Sequence, residues 1–241
     1  MKSRRLVFLL AAALLGALPA VCGAQAGAAQ GVLAWVVRFR EGLPALKPEE
    51  ALARAAADYA AVLAASGCLA HRDGAGRNAL ARYRAAGGSA VRVGEILGAG
   101  PSLSAVTAAW EASAAHAAAA RDPRWTHVGA ASAPALAAAA VGGEFWVVLF
   151  AEQRVEDFRL VREPAGGFLV SGIFRDARAA APMLLSGLGI LPPAAWDPGR
   201  REFRFRLPEE AGPRYHRLGY RTPEGGFFLT SAFYPELSAE R

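Results

Sequence analysis

The sequence predicts an α+β protein, with a helix-rich segment built around a central sheet followed by a smaller segment of strands alone. Three observations carry this. Apolar residues recur at helical spacing in several stretches between Gly31 and His116. The run Glu144-Phe145-Trp146-Val147-Val148-Leu149-Phe150 is almost continuously apolar, as a strand covered on both faces requires. Beyond Glu152 the helical periodicity ends, and a turn of the form Gly-Gly-Phe appears twice.

The N-terminus reads as a secretory signal spanning residues 1–24. Lys2, Arg4 and Arg5 form its basic region, Leu6 to Leu18 its apolar stretch, and Pro19 precedes small residues suited to cleavage after Ala24 or Ala26. The apolar stretch is too short to span a bilayer comfortably. A rival reading makes Cys22 the acylated residue of a membrane-anchored lipoprotein, although Pro19-Ala20-Val21 is a poor approach to such a site. With the signal removed, Cys68 is the sole thiol, so no internal disulfide forms and packing must supply the stability. Cys68, between Gly67 and Leu69, is expected as a small buried residue.

The chain of 241 residues is long enough for one substantial core and a smaller second one. Its formal charge of +6 falls to +3 without Lys2, Arg4 and Arg5, and the remaining Arg residues are interleaved with acids. No basic run or aromatic-basic motif is present, which argues against a nucleic-acid partner.

From Gly31, Val32, Val36 and Phe39 form one helical stripe that Gly42-Leu43-Pro44 ends. Pro48-Glu49-Glu50 starts a second helix, with acids in its positively polarised first turn. Leu52, Ala56, Tyr59 and Leu63 form its buried face, and Gly67 stops it. A short third helix runs through Leu80 and Tyr83 to Gly87-Gly88. The next stretch, Val91 to Gly100, holds a lone acid, Glu95, in an apolar run fenced by glycines. A buried carboxylate needs a cation, a metal or hydrogen-bond donors, so a backbone amide, a nearby Arg, a His pair or a bound cation must satisfy it. Pro101-Ser102 then opens what reads as the longest helix, with Leu103, Val106 and Trp110 facing inward and Ser113 and His116 on one surface. Two strands follow between Thr126 and Phe150, separated by an alanine-rich run from Ala135 to Ala140 that fits strand or helix.

The ordered set Cys68-Leu69-Ala70-His71, Gly94-Glu95-Ile96-Leu97-Gly98, Trp110-Glu111-Ala112-Ser113-Ala114-Ala115-His116 and Trp125-Thr126-His127-Val128-Gly129 resembles the CAP superfamily of cysteine-rich secretory, antigen 5 and pathogenesis-related proteins, especially its bacterial branch. The resemblance implies a three-layer α-β-α sandwich over residues 31–152 and a cleft lined by His71, Glu95, Ser113 and His116. Ile96 stands where the family usually has Asn. Ser113 stands where eukaryotic members carry a second Glu, so the family's His/Glu/Glu/His set is incomplete here.

Residues 155–241 read as a β-sandwich or barrel-like module. Arg162-Glu163-Pro164-Ala165-Gly166-Gly167-Phe168 and Arg221-Thr222-Pro223-Glu224-Gly225-Gly226-Phe227 repeat at an offset of 59 residues, each a glycine turn leading into a strand. Phe203-Arg204-Phe205-Arg206-Leu207 alternates as a half-buried strand does.

His71, His116 and Glu95 supply three protein ligands for Zn²⁺ or another divalent cation, with a fourth position open. If Glu95 is a ligand there is no obvious general base; if it is the base, only two ligands remain. The reading is therefore a secreted, periplasmic or extracellular protein that binds a small molecule, a lipid or a divalent cation in this cleft without catalysis. A metal-dependent hydrolase using the same three residues, and a surface protein acting through its β-module on a protein partner, are the alternatives.

Overall fold

The computed structural model describes residues 18–135, 143–222 and 224–235. Its first half is a four-stranded sheet between two helical layers. Helix α1 (Leu18–Phe39) is followed by β1 (Lys47–Pro48), α2 (Glu50–Ser66), α3 (Ala79–Ala85), β2 (Val93–Gly100), α4 (Leu103–Ala112), α5 (Ala114–Ala120), β3 (His127–Pro134) and β4 (Glu144–Ala151). The strands lie in the order β1-β3-β4-β2; β4 runs antiparallel to both neighbours, and β1 is parallel to β3.

Strand alternation sorts β4 between the layers. Phe145, Val147, Leu149 and Ala151 pack against α2 and α3, while Trp146, Val148 and Phe150 pack with Val32, Trp35, Val36, Val106 and Trp110 of α1 and α4. The apolar run in this strand is thus the signature of a sheet with no solvent face. Helix α2 approaches β3 closely because its buried face is mostly alanine and because Gly129 has no side chain: a Cβ there would lie 2.3 Å from the Ala53 nitrogen.

Several expectations need correction. The first described helix begins at Leu18, well before Gly31, and continues past Ala24 and Ala26. Pro48 belongs to β1, and Glu49 is the residue before α2, with no side-chain cap bond of its own. The stretch from Ser102 to His116 is two helices broken at Ser113, whose extended backbone (φ −89°, ψ 113°) and hydroxyl cap α5 in place of continuing α4. Cys68 is exposed, because the left-handed Gly67 turns the chain outward where α2 ends. Leu136 to Ala140, in the alanine-rich run, and most of the expected signal lie outside the described residues.

The second half is antiparallel β-structure. Its strands are β5 (Val155–Arg162), β6 (Phe168–Phe174), β7 (Pro182–Ser186), β8 (Gly189–Leu191), β9 (Ala195–Asp197), β10 (Glu202–Leu207), β11 (His216–Arg221) and β12 (Phe227–Phe233). They form two four-stranded sheets, β5-β6-β10-β9 and β12-β11-β7-β8, which share one core. The repeated glycine motif makes the same turn twice. Glu163 N–H donates to Gly167 O with Gly166 at φ +92°, and Thr222 N–H donates to Gly226 O with Gly225 at φ +86°. Only Gly adopts this backbone without strain.

The halves are joined by Glu152, Gln153 and Arg154 and by lateral contacts. Ala90 bridges Ser231, Ala232 N–H donates to Ser89 O at 2.9 Å, and Arg154 donates to Leu229 O at 3.0 Å. Among the described residues no helix is long and apolar enough to cross a membrane.

Candidate functional site

Glu95 faces the α2–α3 layer because it shares a side of β2 with Leu97, two residues on; these lie opposite Leu149 and Val147 of β4. Its side chain is only 5% exposed. The carboxylate is satisfied on both oxygens. His71 Nδ1–H donates to Oε1 at 2.8 Å, and Arg82 donates to Oε2. The predicted link between His71 and Glu95 is therefore present, and an Arg completes it.

Arg82 is the residue that sequence reasoning did not name. It lies on the inward face of α3, where Ala79, Arg82, Tyr83 and Ala86 follow the i, i+3, i+4, i+7 spacing of one buried stripe. A cation on that stripe, facing an apolar strand with one acid, was the available signal. The guanidinium lies 3.4 Å from the centroid of the Tyr59 ring and also donates to His71 O at 3.3 Å and Arg77 O at 2.7 Å. Tyr59 in turn donates to Ala70 O. Arg82 and Tyr59 together fasten the loop that carries His71 to the helical layer.

His71 keeps 64% of its side chain exposed, so one edge of the ring is on the carboxylate and the other is in solvent. His116, half-buried on α5, has its pKa lowered, first by burial and then by the charge of His71. Its Nδ1 is buried without a hydrogen-bond partner among the described residues. Ser113 accepts from His116 N–H at 3.5 Å as the α5 cap, which directs its hydroxyl to the backbone. Among the described residues no three His, Cys, Asp or Glu side chains group to hold an ion, and Arg82 occupies one Glu95 oxygen.

Around the site, Trp110 Nε1–H donates to Leu97 O at 2.7 Å, fixing α4 to β2. Asp122 binds Arg124 and Arg92, whose guanidiniums hold its carboxyl well below the usual range.

Fold and site together define a three-layer α-β-α protein with a buried carboxylate set beside imidazole at the edge of its sheet. Residues 34–150 match the model of CAP, the cysteine-rich secretory protein family, which makes this segment a CAP domain. No curated protein matches the chain. Among solved structures, it is similar to an outer surface protein from Borrelia burgdorferi, with 22% identity, TM-score 0.47, 51% of this chain and 90% of that one. It is also similar to an extracellular protein containing an SCP domain from Bacillus anthracis strain Ames, with 18% identity, TM-score 0.45, 53% of this chain and 41% of that one.

Proposed function

We propose that this is a secreted CAP-domain protein that binds a ligand beside His71, Glu95 and His116 and does not turn it over. One observation carries the reading: both Glu95 oxygens are already engaged, by Arg82 and by His71. A general base needs a free lone pair aimed at the proton it removes, and this carboxylate is held as a counter-charge. What it offers a ligand is indirect. It fixes the His71 ring and leaves the outer edge of that imidazole, with the neutral His116 nearby, as the recognition surface. A small molecule or a lipid headgroup carrying both a donor and an acceptor suits two imidazoles of this kind. Secretion is supported by the basic, apolar and small-residue layout of the N-terminus.

The unpartnered, buried Nδ1 of His116 favours a second reading, a divalent cation held weakly by the His pair. Exposed Leu188 and Ile190 on the β7–β8 hairpin favour a third, in which the β-module meets a protein partner.

Zn²⁺ titration calorimetry, with peptide and ester libraries assayed alongside, separates binder from hydrolase. The expected result is weak Zn²⁺ binding that falls further as pH drops through the imidazole range, since protons compete for the same nitrogens. His71→Ala and His116→Ala should each abolish it, Glu95→Gln should weaken it, and the libraries should stay intact. Metal-dependent hydrolysis lost in Glu95→Gln with Zn²⁺ affinity unchanged would overturn the reading in favour of the hydrolase.

A further inference from the structure

A cleft of about 520 Å³ lies between the two halves and away from Glu95. Its size is in the range of small-molecule sites. One wall comes from the start of α2 and the ends of β3 and β4, the other from β5 and the residue after β6. At its base Glu49, Tyr83 and Gln153 form a closed network. Tyr83 donates to Glu49 Oε1 at 2.6 Å, and Gln153 Nε2–H donates to the same oxygen at 3.1 Å and to the Tyr83 hydroxyl at 2.8 Å. This fixes the Gln153 amide, because flipping it would set its oxygen against a carboxylate.

The network leaves two acceptors over. Gln153 is 8% exposed and its Oε1 is buried without a partner; Glu49 Oε2 is likewise buried and unpartnered. Each such atom is costly to bury unless a donor reaches it, and both belong to residues that line the cleft. On the same lining stand Lys47, which makes no ion pair among the described residues, His127 and Arg175. Lys47 and Glu49 are two residues apart on extended chain, so their side chains leave it on one side. The β5 wall carries a register shift between Glu156 and Arg159, with Asp157 at φ +49°. Bulges and strained non-glycine residues gather where a strand must present a side chain to a ligand.

We propose that this cleft binds a small zwitterion, its ammonium held by Glu49 and Gln153 and its carboxylate by Lys47 beside His127. Two unpaired acceptors and one unpaired cation on a polar wall fit a free amino acid or a dipeptide, whose charged ends supply the missing donor and acceptor. The site is independent of the His71–Glu95–His116 group.

The probes are L-alanine and L-alanyl-L-alanine, measured by calorimetry on the full chain, with the N-acetyl and C-amide dipeptides as controls. Lys47 is the one lysine among the described residues, so its acetylation, read by mass spectrometry, reports occupancy directly. At least one free zwitterion is expected to bind and to protect Lys47. Blocking either end, or Lys47→Ala, should weaken binding by about ten- to hundredfold, the loss of one charge-assisted contact. Lys47 is exposed, so its removal leaves the fold intact; Gln153→Ala, confirmed folded by circular dichroism, should weaken the ammonium end alone. Failure of both zwitterions to bind, or binding indifferent to end-blocking and to Lys47→Ala, would overturn the proposal. Binding lost in His71→Ala but kept in Lys47→Ala would place the ligand at that group, which overturns this site while supporting the other.

Discussion

The buried face of α2 is Ala51, Leu52, Ala55, Ala56, Tyr59, Ala60, Leu63 and Ala64, whereas the shared core of the two C-terminal sheets is filled by Phe168, Phe174, Phe203, Phe205, Tyr220 and Phe233. Small residues bring a helix close to a sheet but fill little volume themselves. The first half uses the space near its sheet for polar groups: the Arg82–Glu95 pair, with both side chains 5% exposed, and the Glu49–Tyr83–Gln153 network. The aromatic half packs its rings, with Phe174 and Phe203 centroids 4.6 Å apart, and ties one acid, Asp176, to side-chain donors. It accepts from Arg178 and from Tyr220, whose hydroxyl pKa is pushed up to about 12, chiefly by burial. The lesson is that specificity and mass are divided between the halves. One is tuned by buried charge and the other is held by apolar area.

Three changes test this division, from the largest effect down. Phe203→Ala removes a fully buried ring from between Phe174 and Phe205 and should destabilise the β-module by about 4 kcal/mol. Chemical denaturation followed through Trp196, which packs on Phe174, reads this directly. A loss below about 1 kcal/mol would mean that the aromatic core does not carry that half.

Arg82→Met strands the Glu95 carboxylate and should cost about 3 kcal/mol, while Arg82→Met with Glu95→Leu should recover most of it. A double variant no better than the single would show the pair to be needed for more than mutual neutralisation. Circular dichroism melts of the three chains decide this.

The smallest effect is in pH. Burial, then Arg175 and Lys47, lower the His127 pKa from 6.5 to about 4. Between those values the unfolded chain binds the proton and the folded chain does not, so this stabilisation is complete above about pH 6.5 and is lost as pH falls toward 4. Because the ring is partly exposed, screening reduces it to the order of 1–2 kcal/mol. His127→Asn should flatten that part of the stability profile, measured as denaturation midpoint against pH. An unchanged slope would remove His127 from the account.

Much of this was legible in the residues. Helical stripes such as Leu52, Ala56, Tyr59 and Leu63, the doubly covered β4 and the twice-used glycine turn follow from periodicity and from the steric freedom of Gly. Within the site, the need of Glu95 for a partner was readable, since a carboxylate in an apolar strand cannot stand alone, while His71 as a candidate came from the family resemblance and a nearby Arg was one of the alternatives left open. Arg82 was missed because an Arg in a short helix reads as solvated until the whole stripe from Ala79 to Ala86 is laid out. The break at Ser113 was missed because a serine that caps the next helix looks, in sequence, like one riding on a continuous helix. The Gln153 network joins residues 104 positions apart, Glu49 to Gln153, and no local pattern announces it.

Gly129 gives α2 the mechanics of a lever. Gly129 of β3 meets α2 at Leu52 and Ala53, near one end of a helix of 17 residues. At 1.5 Å per residue the short arm to Glu49 is about 5 Å and the long arm to Ser66 about 20 Å. Any side chain at position 129 acts as a wedge under this fulcrum. The far end, where the loop bearing His71 begins, is roughly four times as far from this contact as the end at Glu49, so a tilt of the helix displaces it roughly four times as much. One small residue in the sheet therefore sets the alignment of two distant polar sites, and sets it unequally: the His71 site is the sensitive end, and the cleft at Glu49 is close to the pivot.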